Sequence, residues 1–180
     1  MNTSLISVRY ANALFNIGLE KPDLMEKFKR DCQLIVSVME QSEQMDQLLQ
    51  NATIKPSEKI AVIRNVYGSL VDKLVLKFME VVIQNERPQL LKSMLINFLD
   101  LHRKKMGIKN VQLITAIKLS HEECSKVRLQ IEKGIKSPIE LSCSVNPDIT
   151  GGFILIIDGQ QIDGSISGQL RQLKKRLMVI

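Results

Sequence analysis

The sequence predicts two units of different class: an α-helical N-terminal six-helix bundle, then a small α/β C-terminal domain. Three observations carry this. Glycine usage changes abruptly, with only Gly18 and Gly68 before residue 106 and the other seven of nine after it. Before that point apolar residues recur at spacings of three and four, the period of one helical face. After it they alternate or run together between turn signals, the pattern of strands. The change falls between Lys104 and Lys109, which sets predicted domains at residues 1–105 and 106–180.

The first helix carries Ile6, Tyr10, Ala13, Leu14 and Ile17 on one face, with Gly18 as its expected stop. Leu5, Val8, Ala11 and Phe15 widen that apolar arc. Pro22 and Asp23 suit the start of a second helix, where proline is tolerated and a negative charge meets the helix dipole. Its stripe is Leu24, Phe28, Cys32, Ile35 and Met39. A short third helix spans Glu43 to Leu49. Lys55-Pro56-Ser57-Glu58 opens a fourth with Ile60, Ile63 and Val66, and a fifth runs from about Val71 to Gln84. The fifth shows Leu74, Phe78, Val81 and Val82 as its core stripe, with Val75, Leu76, Met79 and Ile83 besides. Helices this broadly apolar are either central or bind something. Residues before a proline avoid the helical region, so a break is expected at Asn85-Glu86-Arg87-Pro88, with a sixth helix starting at Pro88. That helix carries Leu91, Met94, Leu95, Phe98 and Leu101 and ends in Arg103-Lys104-Lys105.

Beyond the boundary, residues 111–117 read as a strand. Ser120 and Glu123 form a capping-box pattern for a helix bearing Cys124, Val127 and Ile131. Ile139, Leu141, Cys143 and Val145 alternate as a second strand. Phe153 to Ile157 is apolar enough for a strand covered on both faces. Asp158-Gly159 is a hairpin signal leading to a short fourth strand at 160–162. Asp163-Gly164-Ser165 then opens a last helix with the stripe Ile166, Leu170, Leu173 and Leu177.

Composition narrows the function. Of 180 residues 44% are apolar and 24% charged, ordinary for a packed protein. The net charge of +6 is shared: fifteen basic and twelve acidic residues precede Met106, ten and seven follow. Neither part is a basic arm, so no nucleic-acid tail is marked, although the balance mildly favours acidic partners. The basic face of the last helix lacks aromatics for base stacking. Cys32, Cys124 and Cys143 are odd in number and widely spaced, which supports reduced thiols rather than a disulfide framework or a zinc site. The N-terminus lacks the features of a signal or transit peptide, and the longest apolar run is five residues against the roughly 20 needed to span a bilayer. The chain reads as soluble or peripheral.

No cofactor or metal motif is found, and the expectation is a non-enzyme. P-loop and dinucleotide patterns are absent, and Gly151-Gly152 leads into a strand rather than to a helix start. His102, beside three basic residues, reads as a surface helix end, and His121 as solvent-facing. Asp158 and Asp163 could act as paired carboxylates, but turn-former and helix-cap roles explain them more simply. Two rival functions, a basic nucleic-acid-binding module and a small hydrolase using these residues, do not explain the two broadly apolar helices.

In order along the chain, Arg9-Tyr10-Ala11-Asn12-Ala13-Leu14, Asn85-Glu86-Arg87, Asn146-Pro147 through Gly151-Gly152-Phe153, and Asp163-Gly164-Ser165-Ile166 resemble the motifs of the ATP synthase delta subunit and oligomycin-sensitivity-conferring protein family. Lys55-Pro56 departs from the family's usual Asn-Pro or Asp-Pro. The resemblance implies a non-catalytic connector between catalytic head and peripheral stalk, which resists rotary torque during proton-driven ATP synthesis. It implies a bacterial member at the cytoplasmic face of the inner membrane, touching the membrane only through the complex. The helical domain would bind the N-terminal helix of one alpha subunit, through Tyr10 and Ala13 with Lys77, Val81 and Gln84 facing them. The second domain would bind the C-terminus of the stalk's b subunit. Gly151, Gly152, Asp163, Gly164 and Ser165 would be the structural signature of that domain.

Overall fold

Prolines and short capping side chains divide the first hundred residues into helices. In the computed structural model, which describes residues 3–170, these are α1 (Thr3–Glu20), α2 (Pro22–Gln41), α3 (Glu43–Gln50), α4 (Pro56–Tyr67), α5 (Lys73–Gln84) and α6 (Leu91–Met106). A 3-10 turn over Pro88–Leu90 leads into α6. The remainder supplies β1 (Lys109–Thr115), α7 (His121–Ile135), β2 (Ile139–Val145), β3 (Phe153–Ile157) and β4 (Gln160–Asp163). The protein is thus mostly helical, with a small four-stranded mixed sheet toward its C-terminal end. It divides into two compact units at His102–Arg103.

In the first unit, Pro22 and Pro56 occupy first-turn positions of α2 and α4, where the missing N–H costs nothing. Ser42 accepts a hydrogen bond from the Met45 N–H at the start of α3, and Asp72 accepts one from Leu74 at the start of α5. The core gathers Leu14, Phe28, Ile35, Ile63, Val75, Met79, Val82, Leu91, Leu95 and Phe98.

Gly18 does not stop α1. It lies inside the helix, where an added Cβ would sit 2.8 Å from the Met25 side chain of α2. Its smallness serves helix–helix approach, and α1 continues to Glu20. The apolar arc of α1 also divides differently from the expected face. Ser7, Ala11, Leu14 and Phe15 are buried, Ile6 and Tyr10 half-buried, and Ala13 and Ile17 exposed. On α5 the buried set is Val75, Met79, Val82 and Ile83, while Leu74, Phe78 and Val81 are half-buried.

Several polar side chains are buried in this unit, among them Lys59, Glu80 and Tyr67. Lys59 is 5% exposed and donates through Nζ to the Leu49 carbonyl at the end of α3, 2.8 Å away. Glu80 accepts from Arg64 and lies 3.5 Å from Lys77 Nζ. The hydrogen bond from Arg64 holds its carboxyl below the usual carboxylate range, against burial. The Tyr67 hydroxyl is buried without a hydrogen-bond partner, and that burial pushes its pKa up. An unsatisfied buried hydroxyl costs about 1–3 kcal/mol. Tyr67→Phe should therefore raise the unfolding free energy by about 1 kcal/mol, measured by urea titration. A loss of stability would mean that the hydroxyl is satisfied after all.

In the second unit the sheet order is β2-β1-β3-β4. β1 runs parallel to β2 and antiparallel to β3, and β4 returns antiparallel to β3. The parallel pair is bridged by α7, whose start is a full capping box: Ser120 Oγ accepts from the Glu123 N–H, and Glu123 accepts from the Ser120 N–H. The β3–β4 hairpin turns on Asp158 and Gly159, both at positive φ, as a two-residue turn of this type requires. β3 is not covered on both faces as its apolar run suggests. Phe153 is 44% exposed and the rest of the strand half-buried. The buried strand positions are instead Val111, Leu113 and Thr115 of central β1, with Ile139 of β2. Residues 166–170 are helical. Leu173 and Leu177 of the expected last helix, with its basic face, lie outside the described residues.

Candidate docking surface and the glycine signature

The half-buried residues of α1 and α5 meet. Tyr10 packs edge-on against Phe78, with ring centroids 6.4 Å apart at 68°. Its hydroxyl accepts a hydrogen bond from Asn85 Nδ2 at 2.9 Å. Asn85 is placed by the way α5 ends. The Arg87 N–H donates to the Val82 carbonyl and the Glu86 N–H to that of Ile83, with Glu86 at φ 58°. This is a Schellman closure, formed here without the usual glycine. The Asn85-Glu86-Arg87 segment is thus the stop signal of α5 and at the same time the clamp on Tyr10.

Beside Tyr10 lies a concavity lined by Ile6, Arg9, Tyr10, Ala13 and Arg87. Among the described residues neither guanidinium has an ion-pair partner. Of the residues implied for partner binding, Tyr10 is half-buried and Ala13 exposed, both beside this hollow. Val81 is half-buried one turn beyond Phe78 on the same side of α5. Lys77 and Gln84 are exposed, Lys77 with its ammonium near Glu80. Phe78 touches Tyr10 directly. Periodicity alone assigns it to the core stripe, but its +4 relation to Leu74 and its edge-on reach to α1 put it on the open side.

The second unit contains a different construction. Gly152 has φ 83°, and a Cβ there would run into the Gly164 carbonyl oxygen. The two backbones are tied by Gly164 N–H to Phe153 O at 2.9 Å and Ile166 N–H to Gly151 O at 3.0 Å. Asp163 accepts from the Ser165 N–H, and Ser165 Oγ accepts from the Gly168 N–H at 3.0 Å. The cap of the helical turn is therefore Ser165, with Asp163 bracing it from the strand end. Gly168 leaves room for the carboxylate, since a Cβ there would meet it within 2.6 Å.

The remaining candidates separate. Asp158 sits in the hairpin turn, its carboxylate accepting from Lys109 Nζ at 2.7 Å and the Asn110 N–H at 3.1 Å. The Lys109 bond holds it below the usual carboxylate range. Asp163 stands at the other end of β4, so the two carboxylates do not converge. His102 is not a surface residue: it is 1% exposed, because it continues the 91, 94/95, 98 stripe of α6 inward. Its Nε2 is 3.3 Å from Glu26 Oε1 without hydrogen-bond alignment. His121 is exposed at the start of α7. Among the described residues no helix is long and apolar enough to cross a membrane.

An edge-on aromatic pair joins α1 to α5 beside a concavity lined by the Arg9 and Arg87 guanidinium groups. A family model described as ATP synthase delta (OSCP) subunit matches residues 6–177. The ATP synthase subunit delta of Symbiobacterium thermophilum is 30% identical over 178 residues, covering 99% of this chain and 95% of that one. That of Protochlamydia amoebophila is 29% identical over 173 residues, covering 96% and 95%. In fold, the chain matches one in the Toxoplasma gondii mitochondrial ATP synthase hexamer with TM-score 0.78 at 20% identity, over 96% and 97% of the two chains. The chain belongs to the ATP synthase delta (OSCP) subunit family, whose place in that membrane-associated complex is structural rather than catalytic, as a component of the peripheral stalk.

Proposed function

We propose that the helical unit, residues 1–105, holds the N-terminal helix of one alpha subunit against the α1–α5 ridge. The unit formed by residues 106–180 holds the C-terminus of the stalk's b subunit. The chain then joins catalytic head to stalk, at the cytoplasmic face of a bacterial inner membrane, and resists the torque of rotation. The observation that carries this reading is the Tyr10–Phe78 pair fixed by Asn85 at an open surface. The concavity beside this pair, with Ile6, Tyr10 and Ala13 in its wall, offers apolar surface of the kind that accepts one face of an amphipathic helix. The bundle of six helices supplies the rigid frame. Two sites on one chain raise the effective concentration of each partner for the other, so moderate contacts give a tight assembly.

Calorimetric titration with a synthetic peptide of the alpha subunit's N-terminal helix tests this. One-to-one binding is expected, weakened tenfold or more by Tyr10→Ala, about 1.4 kcal/mol. Unchanged circular dichroism of the variant separates lost contact from lost fold. Absence of binding by the folded wild-type chain at high micromolar peptide removes the reading.

A further inference from the structure

Two thiols face each other in the second unit. Cys124, on the first turns of α7, and Cys143, in the middle of β2, have their sulfurs 2.9 Å apart and both are partly exposed. The approach is set by the framework. The Ser120–Glu123 capping box fixes where α7 begins, and pairing of Cys143 with Leu113 fixes the register of β2. A disulfide bond, at about 2.05 Å, requires the sulfurs to close by only about 0.9 Å more. The third cysteine, Cys32, is fully buried in the helical core. α7 itself is lightly held: none of its residues is buried, and Leu129 is 57% exposed.

We propose that Cys124 and Cys143 are a modification site for low-molecular-weight disulfides, closing into an internal disulfide that staples α7 to β2. The thiolate of one cysteine attacks a sulfur of oxidised glutathione, forming a mixed disulfide and expelling one glutathione thiolate. The second cysteine then attacks the protein sulfur of that mixed disulfide and expels the other. Two protein thiols are oxidised by two electrons, one glutathione disulfide is reduced to two thiols, and the two cysteine protons end on them. Because the partner is adjacent, the second step outruns release of the mixed disulfide. Burial and the neighbouring Cys124 push the Cys143 thiol up to about 11, so closure is slow at neutral pH and quickens as pH rises.

The test treats the full chain with oxidised glutathione, quenches with acid, and combines intact mass with a non-reducing peptide map. The expected wild-type product has lost two hydrogen atoms, carries no glutathione, and links the peptides of Cys124 and Cys143. Cys124→Ser and Cys143→Ser should each stop at a single glutathione adduct, with Cys32 unmodified throughout. Amide exchange of α7 should slow on closure and recover with reductant. A wild-type chain that stays reduced, accumulates glutathione adducts, or forms intermolecular dimers overturns the proposal.

Discussion

Phe98→Ala is expected to lower the stability of the helical unit by about 3–5 kcal/mol, a large share of the roughly 5–15 kcal/mol that holds a small domain folded. Phe98 is fully buried on α6 and meets Phe15 of α1 edge-on, with centroids 6.1 Å apart. Removing the ring forfeits its transfer free energy and opens a cavity that Leu91, Met94 and Leu95 cannot fill without leaving their own contacts. The edge-to-face pair accounts for about 0.5–1.5 kcal/mol of the total. Urea unfolding followed by far-UV circular dichroism measures the change. A midpoint within error of wild type would show that the ring is not part of the core.

Gly152→Ala should be comparably severe and confined to the second unit. The backbone at φ 83° disfavours any L side chain, and the new methyl would overlap the Gly164 carbonyl oxygen, which belongs to the backbone and cannot rotate away. Strain of about 1–3 kcal/mol from the dihedral adds to the cost of parting β3 from the segment after β4, together about 3 kcal/mol or more. Amide exchange should show lost protection in β3 and β4 while α1–α6 keep theirs. Equal protection in both units of the variant would contradict the close approach described.

Features governed by neighbours along the chain are legible in the residues themselves. The Ser120–Glu123 box, the Asp158-Gly159 turn and the Pro22 and Pro56 starts all act over a few residues, and each is found where its pattern lies. Features governed by packing are not. Gly18 looks like a helix stop until Met25 is seen against it. His102 looks solvated among Arg103, Lys104 and Lys105, although its +4 relation to Phe98 points inward. The charges of Lys59 and Glu80 give no sign of burial, because the groups that satisfy them, the Leu49 carbonyl and Arg64, arrive from other helices. The Tyr10–Phe78 ridge is legible only as an excess: α1 and α5 carry more apolar residues than one buried face can use. Periodicity cannot say which of two adjoining stripes is the inner one. The ridge is therefore the part of the excess that the core leaves over.

The bond from Asn85 to Tyr10 has a kinetic side. It is made within the chain, so the Tyr10 ring is held in place before any partner arrives. For the docking proposed above, little rotamer entropy is surrendered at that ring on binding, a saving of about 0.5–1.5 kcal/mol per side chain. Encounter then requires no rearrangement of the ridge, and association should proceed in a single phase whose rate is linear in peptide concentration. Differences in affinity among ridge variants should appear in how long the helix stays rather than in how fast it arrives. A stator under load depends on that residence time, since each release would let the head slip.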